Sequence, residues 1–202
     1  MTTLLSPSAQ RSTDHSVLDA IRDEACNLAI WERSGAPAFD TLLASPLDDV
    51  RFAATLSELG ARLTAQLGAA GYPATPARAA LIADIAALAE RYAAVMEIDA
   101  VSVRLAIVTT NSCRKFHADY VKARLITTYV GTGTQWLDAE DAARVARDEE
   151  PHHIRTLKAG DVGLFKGRMW TTHPAIHRSP PIADTGEKRL LLVLDPVRDA
   201  AG

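Results

Sequence analysis

The N-terminal half of the chain carries hydrophobic side chains at the spacing of amphipathic helices. Between residues 50 and 70 they recur every three or four positions, at Phe52, Leu56, Leu59, Leu63 and Leu67. This period predicts a helix that ends near the glycines that follow. A second hydrophobic stripe with helical spacing runs from residue 81 to residue 96.

The boundaries of these elements carry signals of their own. Thr75 is a typical N-cap residue and Pro76 suits the first position of a helix, so the second helix is predicted to begin there. A short helix is expected from Ser16, and residues 28–31 are expected to be extended. The polar residues 1–13 predict a loose tail.

After about residue 99 the pattern changes to short runs that are typical of β-strands. Four such runs are rich in β-branched and aliphatic residues, over residues 101–108, 123–130, 163–165 and 189–194. Glycines and prolines at turn positions separate them. Because the strands follow the helices instead of alternating with them, the pattern predicts an α+β fold with a sandwich or jelly-roll core. We expect a mainly helical segment over residues 1–100 that packs on a β-rich core over residues 101–202, in one structural unit.

Composition narrows the function classes. The 202 residues carry a net charge of −3, so no basic footprint for nucleic acid is expected. No apolar run approaches the ~20 residues that span a bilayer, so no membrane partner is expected either. The two cysteines, Cys26 and Cys113, do not suggest a disulfide framework. A cytoplasmic location is the expectation that follows.

The candidate chemistry begins with His117 and Asp119. Residues two positions apart on an extended chain point to the same side, so this histidine and this carboxylate can share a metal ion. His177, in a later β-rich context, is the expected third ligand. Two histidines and one carboxylate form the facial triad of non-haem Fe(II) sites, which leaves positions open for substrate and oxygen.

The order of these features resembles the Fe(II)/2-oxoglutarate-dependent dioxygenases over residues 101–195. The resemblance implies a double-stranded β-helix (jelly-roll, cupin-like) core with the N-terminal helices packed on one sheet. It also implies Fe(II) and 2-oxoglutarate as cofactors, and a basic residue one strand after the second histidine that binds the far carboxylate of 2-oxoglutarate. Arg189 is our choice for this role because a guanidinium matches a carboxylate bidentately. Lys188 is its neighbour, and Leu190 to Leu194 are apolar on both faces, so strand parity leaves the two open.

Two further residues are candidates for binding the cofactor. Arg124 lies inside an otherwise apolar strand, where a charge is costly without a partner. It is expected either to bind an anion within the barrel or to pair with Asp119 or another acid. Tyr129 is a candidate hydrogen-bond donor to a bound acid, with ordinary core packing as the alternative.

A second resemblance covers the whole chain. Residues 113–119, 124–137 and 177–181 resemble the corresponding segments of a bacterial family of proteins of unknown function, DUF1826. The resemblance implies that its members are often encoded near zinc-responsive genes for metal-chaperone GTPases. It leaves the chemistry undecided.

Two functions follow as hypotheses. The first is an Fe(II)/2-oxoglutarate-dependent oxygenase that acts on an unknown small-molecule or protein substrate. The second is a non-catalytic zinc-binding protein linked to zinc homeostasis, in which Cys113 or His173 closes the fourth position. A cupin isomerase or thiol dioxygenase fits less well, because Asp119 stands where cupins generally carry a second histidine. A homodimer through the N-terminal helices is possible.

Overall fold

The computed structural model describes residues 8–35, 37 and 39–197. Two short 3-10 helices lie at His15–Arg22 and Asp40–Ala44. The strands and α-helices follow in this order: β1 (Ser8–Ser12), β2 (Cys26–Trp31), β3 (Val50–Thr55), α1 (Leu56–Ala69), α2 (Pro76–Met96), β4 (Ala100–Val108), β5 (Ala123–Val130), β6 (Gln135–Trp136), α3 (Ala139–Val145), β7 (Arg155–Thr156), β8 (Val162–Lys166), β9 (His177–Arg178) and β10 (Arg189–Pro196).

Two sheets form the core. The larger has seven strands in the order β1-β2-β8-β5-β10-β4-β3, antiparallel except for the parallel pair β1 and β2. The smaller has the order β7-β6-β9. The fold is thus α+β with a double-stranded β-helix core, as predicted, and the strand expected over residues 123–130 has those same bounds.

One face of the large sheet is covered by α1 and α2. Helix α2 begins as predicted, since the Thr75 side chain accepts a hydrogen bond from the Arg78 N–H and Pro76 occupies the first turn. The apolar stripe of α2 packs into one continuous hydrophobic core with the helix-facing residues of the strands. Among these are Leu190, Leu192 and Leu194, which alternate along β10.

The opposite face of the large sheet looks toward the small sheet. A second hydrophobic cluster lies between them and includes Trp136, Phe165, Leu191 and Val193. Because Leu191 and Val193 alternate with the helix-facing leucines of β10, each residue of that strand is assigned to one side of the sheet. This inner space holds the candidate site. Within the described part of the chain, no helix is long and apolar enough to cross a membrane.

Two expectations for the N-terminal half were wrong. Phe52 belongs to β3 and not to a helix, because Val50, Phe52 and Ala54 are buried in alternation and only Leu56 begins α1. Residues 8–12 form β1 rather than a tail, because their backbone pairs with β2 whatever their side chains are. Residues 1–7 of the expected tail lie outside the described residues.

The N-terminal segment also does more than pack on the sheet. It supplies β1, β2 and β3, three of the seven strands of the large sheet. The division of the chain at residue 100 stays a prediction, and the large sheet takes strands from both sides of it. The short helix expected from Ser16 is confirmed as the 3-10 helix His15–Arg22.

Gly133, just before β6, allows a close approach that another residue would block. A Cβ at this position would overlap with the backbone carbonyl of Leu157. We expect Gly133→Ala to lower the free energy of unfolding by about 1–3 kcal/mol, measured by urea denaturation. Gly60→Ala is the matched control: it lies in the exposed middle of α1 with open space around it, so it should stabilise by about 0.5–1 kcal/mol. Equal effects of the two substitutions would contradict this assignment.

Candidate metal centre

A backbone bridge brings the two predicted histidines together. The N–H of His117 donates to the carbonyl of His177, and the N–H of His177 donates to the carbonyl of His117, both at 2.9 Å. His177 is in turn paired with Trp136 of β6 in the small sheet. Residues opposite one another on antiparallel strands project to the same side, so the two imidazoles are neighbours, with ring centroids 4.8 Å apart.

Asp119 completes a group of three. Its Oδ2 lies 3.2 Å from Nε2 of His177, and its Oδ1 lies 3.7 Å from Nε2 of His117. One ligand atom from each residue falls within 4.8 Å of the other two. The structure thus brings together the three residues that the sequence singled out. No fourth histidine, cysteine or carboxylate joins the group in the part of the chain that is described.

The hydrogen bonds of the two rings favour metal binding. Nδ1 of His117 lies 2.9 Å from the carbonyl of Lys115, and Nδ1 of His177 lies 3.2 Å from the carbonyl of Ala175. Because a carbonyl only accepts, each Nδ1 carries a hydrogen, and each Nε2 is left to bind either a proton or a metal ion. Both Nε2 atoms lie beside the carboxylate of Asp119. Orientation of a histidine ligand by its second nitrogen is the usual outer-shell arrangement of metal sites.

The two carboxylate oxygens of Asp119 differ in their hydrogen bonding. Oδ1 accepts a hydrogen bond from Nη1 of Arg124 at 2.7 Å. Oδ2 is buried and, among the described residues, has no hydrogen-bond donor. Burial alone would raise the pKa of Asp119, but His177, Arg124 and His117 outweigh burial and hold it below its ordinary value. A buried carboxylate with one oxygen that lacks a donor, next to the Nε2 atoms of two imidazoles, fits a divalent cation.

Arg124 is held by two acids and not kept for a ligand. It donates to Asp119, and its Nε and Nη2 donate to the two oxygens of Asp195 at 2.7 and 2.8 Å. Of the two predictions for Arg124, ion pairing is what the structure contains. Its expected role in cofactor binding stays a prediction, although the two carboxylates already balance its charge.

Arg189 has a different environment. It is fully buried, and it donates to the carbonyl of Thr132, the hydroxyl of Ser179 and, at 3.2 Å, the hydroxyl of Thr128. All three acceptors are neutral, and no described carboxylate lies within 4.0 Å of it in an ion pair. Burial lowers the pKa of Arg189 to about 10, although the charge of Glu187 opposes this. A buried guanidinium without a counter-charge is an expected anion site.

Strand geometry places Arg189, and not Lys188, on the side of the candidate site. Arg189 lies two residues before Leu191 on β10, and therefore on the side of the sheet that faces the site. Ser179, its hydrogen-bond partner, lines the same pocket as His117 and His177. Lys188 is exposed at the end of the preceding turn.

Tyr129 is on the wrong side of the sheet for its predicted role. It shares the helix-facing side of β5 with Leu125 and packs edge-on against Phe39. Its hydroxyl donates to Oδ2 of Asp84 in α2 at 2.7 Å, and burial with this carboxylate raises the pKa of Tyr129 well above its ordinary value. The expectation that Tyr129 binds a cofactor acid is wrong, because the sheet separates it from the metal group.

Three functional contacts were not predicted from the sequence. They are Asp195, which fixes Arg124, and Thr128 and Ser179, which fix Arg189. A signal for Thr128 was present, since it lies two and four residues from Ile126 and Arg124 and so shares their side of β5. The side of Asp195 follows from Arg189 by the same alternation along β10.

The two candidates for a fourth ligand lie outside the metal group. Cys113 is exposed and lines the pocket, and His173 is exposed, with its ring beside the hydroxyl of Thr172. Neither belongs to the group of ligand atoms formed by the three predicted residues. Among the residues that the structure describes, three ligands come together and not the four of a closed zinc site.

The chain is similar to a known protein family in sequence and to solved dioxygenase and hydroxylase structures in fold. Residues 12–195 match the model of a family described as "Protein of unknown function (DUF1826)". A comparison with curated proteins finds no match. A solved structure of a dioxygenase for auxin oxidation from Arabidopsis thaliana, in complex with 2-oxoglutarate, is similar with a TM-score of 0.51 and 10% identity, over 95% of this chain and 93% of that one. A Pseudomonas putida prolyl-4-hydroxylase has a TM-score of 0.48 and 13% identity, over 98% and 100% of the two chains. The first similarity confirms the predicted double-stranded β-helix fold.

The pairing of Asp195 with Arg124 is open to test by substitution. Asp195→Asn removes one charge from a half-buried, bidentate pair, and Arg124 keeps only Asp119. We expect the free energy of unfolding in urea to fall by about 1–3 kcal/mol. Glu149→Gln, at a solvent-accessible site where Glu149 pairs with Arg147 and Arg144, is the control and should change stability by no more than about 1 kcal/mol. An Asp195→Asn protein as stable as the parent would mean that Arg124 is not held in this way.

Proposed function

The chain belongs to the DUF1826 family of proteins of unknown function. From the geometry of its candidate metal centre, we propose that it is an Fe(II)/2-oxoglutarate-dependent oxygenase. The metal is held by His117, Asp119 and His177. The observation that carries the proposal is the arrangement of Asp119 between the two histidines. Its buried Oδ2, which has no hydrogen-bond donor among the described residues, lies 3.2 Å from Nε2 of His177, and its Oδ1 lies 3.7 Å from Nε2 of His117.

The donor set supports iron. Two imidazoles and one carboxylate without sulfur form the facial triad of non-haem Fe(II) proteins, whereas calcium and magnesium prefer oxygen ligands alone. Structural zinc sites are closed by four protein ligands, and only three come together in the described residues. An open site is a reactive one, so the geometry favours catalysis over zinc storage. A link to zinc homeostasis stays a prediction.

The environment of Arg189 supports a dicarboxylate co-substrate. Its buried charge is solvated only by neutral oxygens, and an incoming carboxylate would supply the missing negative charge. A 2-oxo acid with a second carboxylate has one end for the metal and one for this arginine. When bound together, Fe(II) and 2-oxoglutarate would activate dioxygen, the oxidant that breaks a substrate C–H bond.

The chain's own residues position these groups. Arg124, fixed by Asp195, holds Oδ1 of Asp119 and leaves Oδ2 for the cation. Phe165 packs against the ring of His177 with centroids 4.7 Å apart, and this apolar wall keeps water from that side. The solved structure of the Arabidopsis dioxygenase, which is similar in fold, contains 2-oxoglutarate, and this agrees with 2-oxoglutarate as the proposed co-substrate.

The remaining expectations go beyond the site. An unknown small-molecule or protein substrate, a cytoplasmic location and a possible homodimer stay predictions. So does the absence of nucleic-acid and membrane partners.

Anaerobic addition of Fe(II) and 2-oxoglutarate tests the metal site. We expect a weak charge-transfer band in the visible spectrum, and its loss in His177→Ala and in Asp119→Ala. Loss of a ligand should lower metal affinity by more than the roughly 10–100-fold typical of outer-shell changes. His173→Ala is the matched control, an exposed histidine four residues earlier, and should keep the band. A parent protein with neither the band nor oxygen-dependent consumption of 2-oxoglutarate would exclude the proposed activity.

Arg189→Gln tests the co-substrate site separately from the metal. Losing charge-assisted hydrogen bonds should weaken 2-oxoglutarate binding roughly 10–100-fold while Fe(II) affinity is kept. The titrated intensity of the charge-transfer band measures the first, and Fe(II) titration alone measures the second. Lys188→Gln removes the same charge from an exposed neighbour and should leave both unchanged. The reverse result would assign the carboxylate to Lys188.

A further inference from the structure

Arg104 lies on the inner side of the large sheet, beside the candidate metal centre. On β4 its neighbours Val103 and Leu105 face the helices and are buried there, so Arg104 faces the opposite side. It lines the same pocket as His117 and His177. Its side chain is half-buried.

Arg104 differs from the other arginines of this pocket. Arg124 is bound by two aspartates, while Arg178 donates to Gln135 and stacks on the ring of Phe116 at 4.3 Å. Arg104 has neither a side-chain hydrogen bond nor an ion pair with any described residue. It is thus a pocket cation whose charge the described part of the chain does not balance.

The acids on the same side of the neighbouring strands are already engaged. Asp195 gives both of its oxygens to Arg124. Asp49, just before β3, accepts the backbone N–H of Ile107 at 2.8 Å. The charge next to Arg104 is instead another cation: Arg51 lies directly opposite it in the antiparallel pair of β3 and β4.

Two like charges opposite each other on a sheet destabilise the pair. Such an arrangement costs stability in the free protein and is relieved when an anion lies between or in front of the two guanidinium groups. The proposed cofactors do not supply that anion, since the charges of Fe(II) and dianionic 2-oxoglutarate offset each other and Arg189 is the co-substrate's own partner. The positive charges of Arg104 and Arg51 are therefore expected to be balanced by a third molecule, which carries negative charge.

We propose that Arg104, with Arg51 beside it, binds an anionic group of the substrate at the rim of the metal pocket. The inference rests on the proposed function only in naming this ligand as the substrate. The group is an oxyanion, a carboxylate or a phosphate monoester, because both match the guanidinium fork. The substrate class is therefore a small anionic molecule.

Nuclear magnetic resonance of protein with isotope-labelled arginines tests the site with two probes, benzoate and phenylphosphate. In metal-free protein, the Nε–H resonance that disappears in Arg104→Gln is assigned to Arg104. We expect this resonance to shift on addition of at least one probe. The dissociation constant of that probe should rise roughly tenfold or more in Arg104→Gln, since charge-assisted hydrogen bonds are lost. The probe that binds identifies the carboxylate or the phosphate source.

Arg62→Gln is the matched control, with the same charge removed from an exposed position in α1 on the other side of the sheet. It should bind the probe like the parent. Thermal unfolding adds a second readout: Arg104→Gln should be as stable as the parent or more stable, because it loses no described partner and one repulsion. Probe binding unchanged in Arg104→Gln, or a clear loss of stability in that variant, would overturn the proposal.

The Fe(II)/2-oxoglutarate band keeps the two proposals apart. Arg104→Gln should retain the band of the parent, since Arg104 makes no hydrogen bond or ion pair with the metal group or with Arg189 in the described structure. If the parent protein lacks the band, the oxygenase proposal is excluded and the proposal of an anion site at Arg104 is unaffected. A parent with the band but without a probe-dependent shift at Arg104 sinks the anion site alone.

Discussion

The backbone bridge between His117 and His177 is the contact on which the whole site depends. It joins a loop after β4 to the short strand β9, two segments far apart in the sequence. Because its two residues are directly opposed, the imidazoles are placed together by main-chain geometry before any metal is present. Asp119 follows by the two-residue repeat of an extended chain. A shift of one residue in this register would turn the ligands away from each other.

The arginines around this bridge fall into two groups, one whose charge is balanced by aspartates and one whose charge is not. Arg124 donates hydrogen bonds to Asp119 and Asp195 and thereby orients one oxygen of Asp119. Because both partners are carboxylates, they balance the charge of Arg124. The other oxygen of Asp119 is thereby kept for a cation. Arg189 and Arg104 have no such acids among the described residues, and both face the inner side of the sheet. The unbalanced cations thus lie on the side of the sheet that faces the candidate site, and the balanced one holds the carboxylate of Asp119 in place.

Much of this arrangement could be predicted from the sequence, and its failures have physical causes. The strand at 123–130 and the start of α2 carry strong local signals, and they were predicted correctly. Phe52 was assigned to a helix because its distance of four residues from Leu56 fits both periods, and only tertiary pairing with β4 decides for a strand. The strand β1 has no hydrophobic pattern at all, since it is held by backbone pairing to β2. Local sequence does not encode such a pairing.

The misassignment of Tyr129 has one cause, which is the side of the sheet. The types of Tyr129 and Arg189 both suggested ligand binding, but a strand sends alternate residues to opposite faces. Tyr129 faces Asp84 and the helices, whereas Arg189 faces the pocket. A protein that needed only stability would gain by replacing a buried, unpaired arginine with an apolar residue. That β10 is apolar from Leu190 to Leu194 and yet begins with a fully buried Arg189 is therefore an argument from energetics for a bound anion, independent of any resemblance.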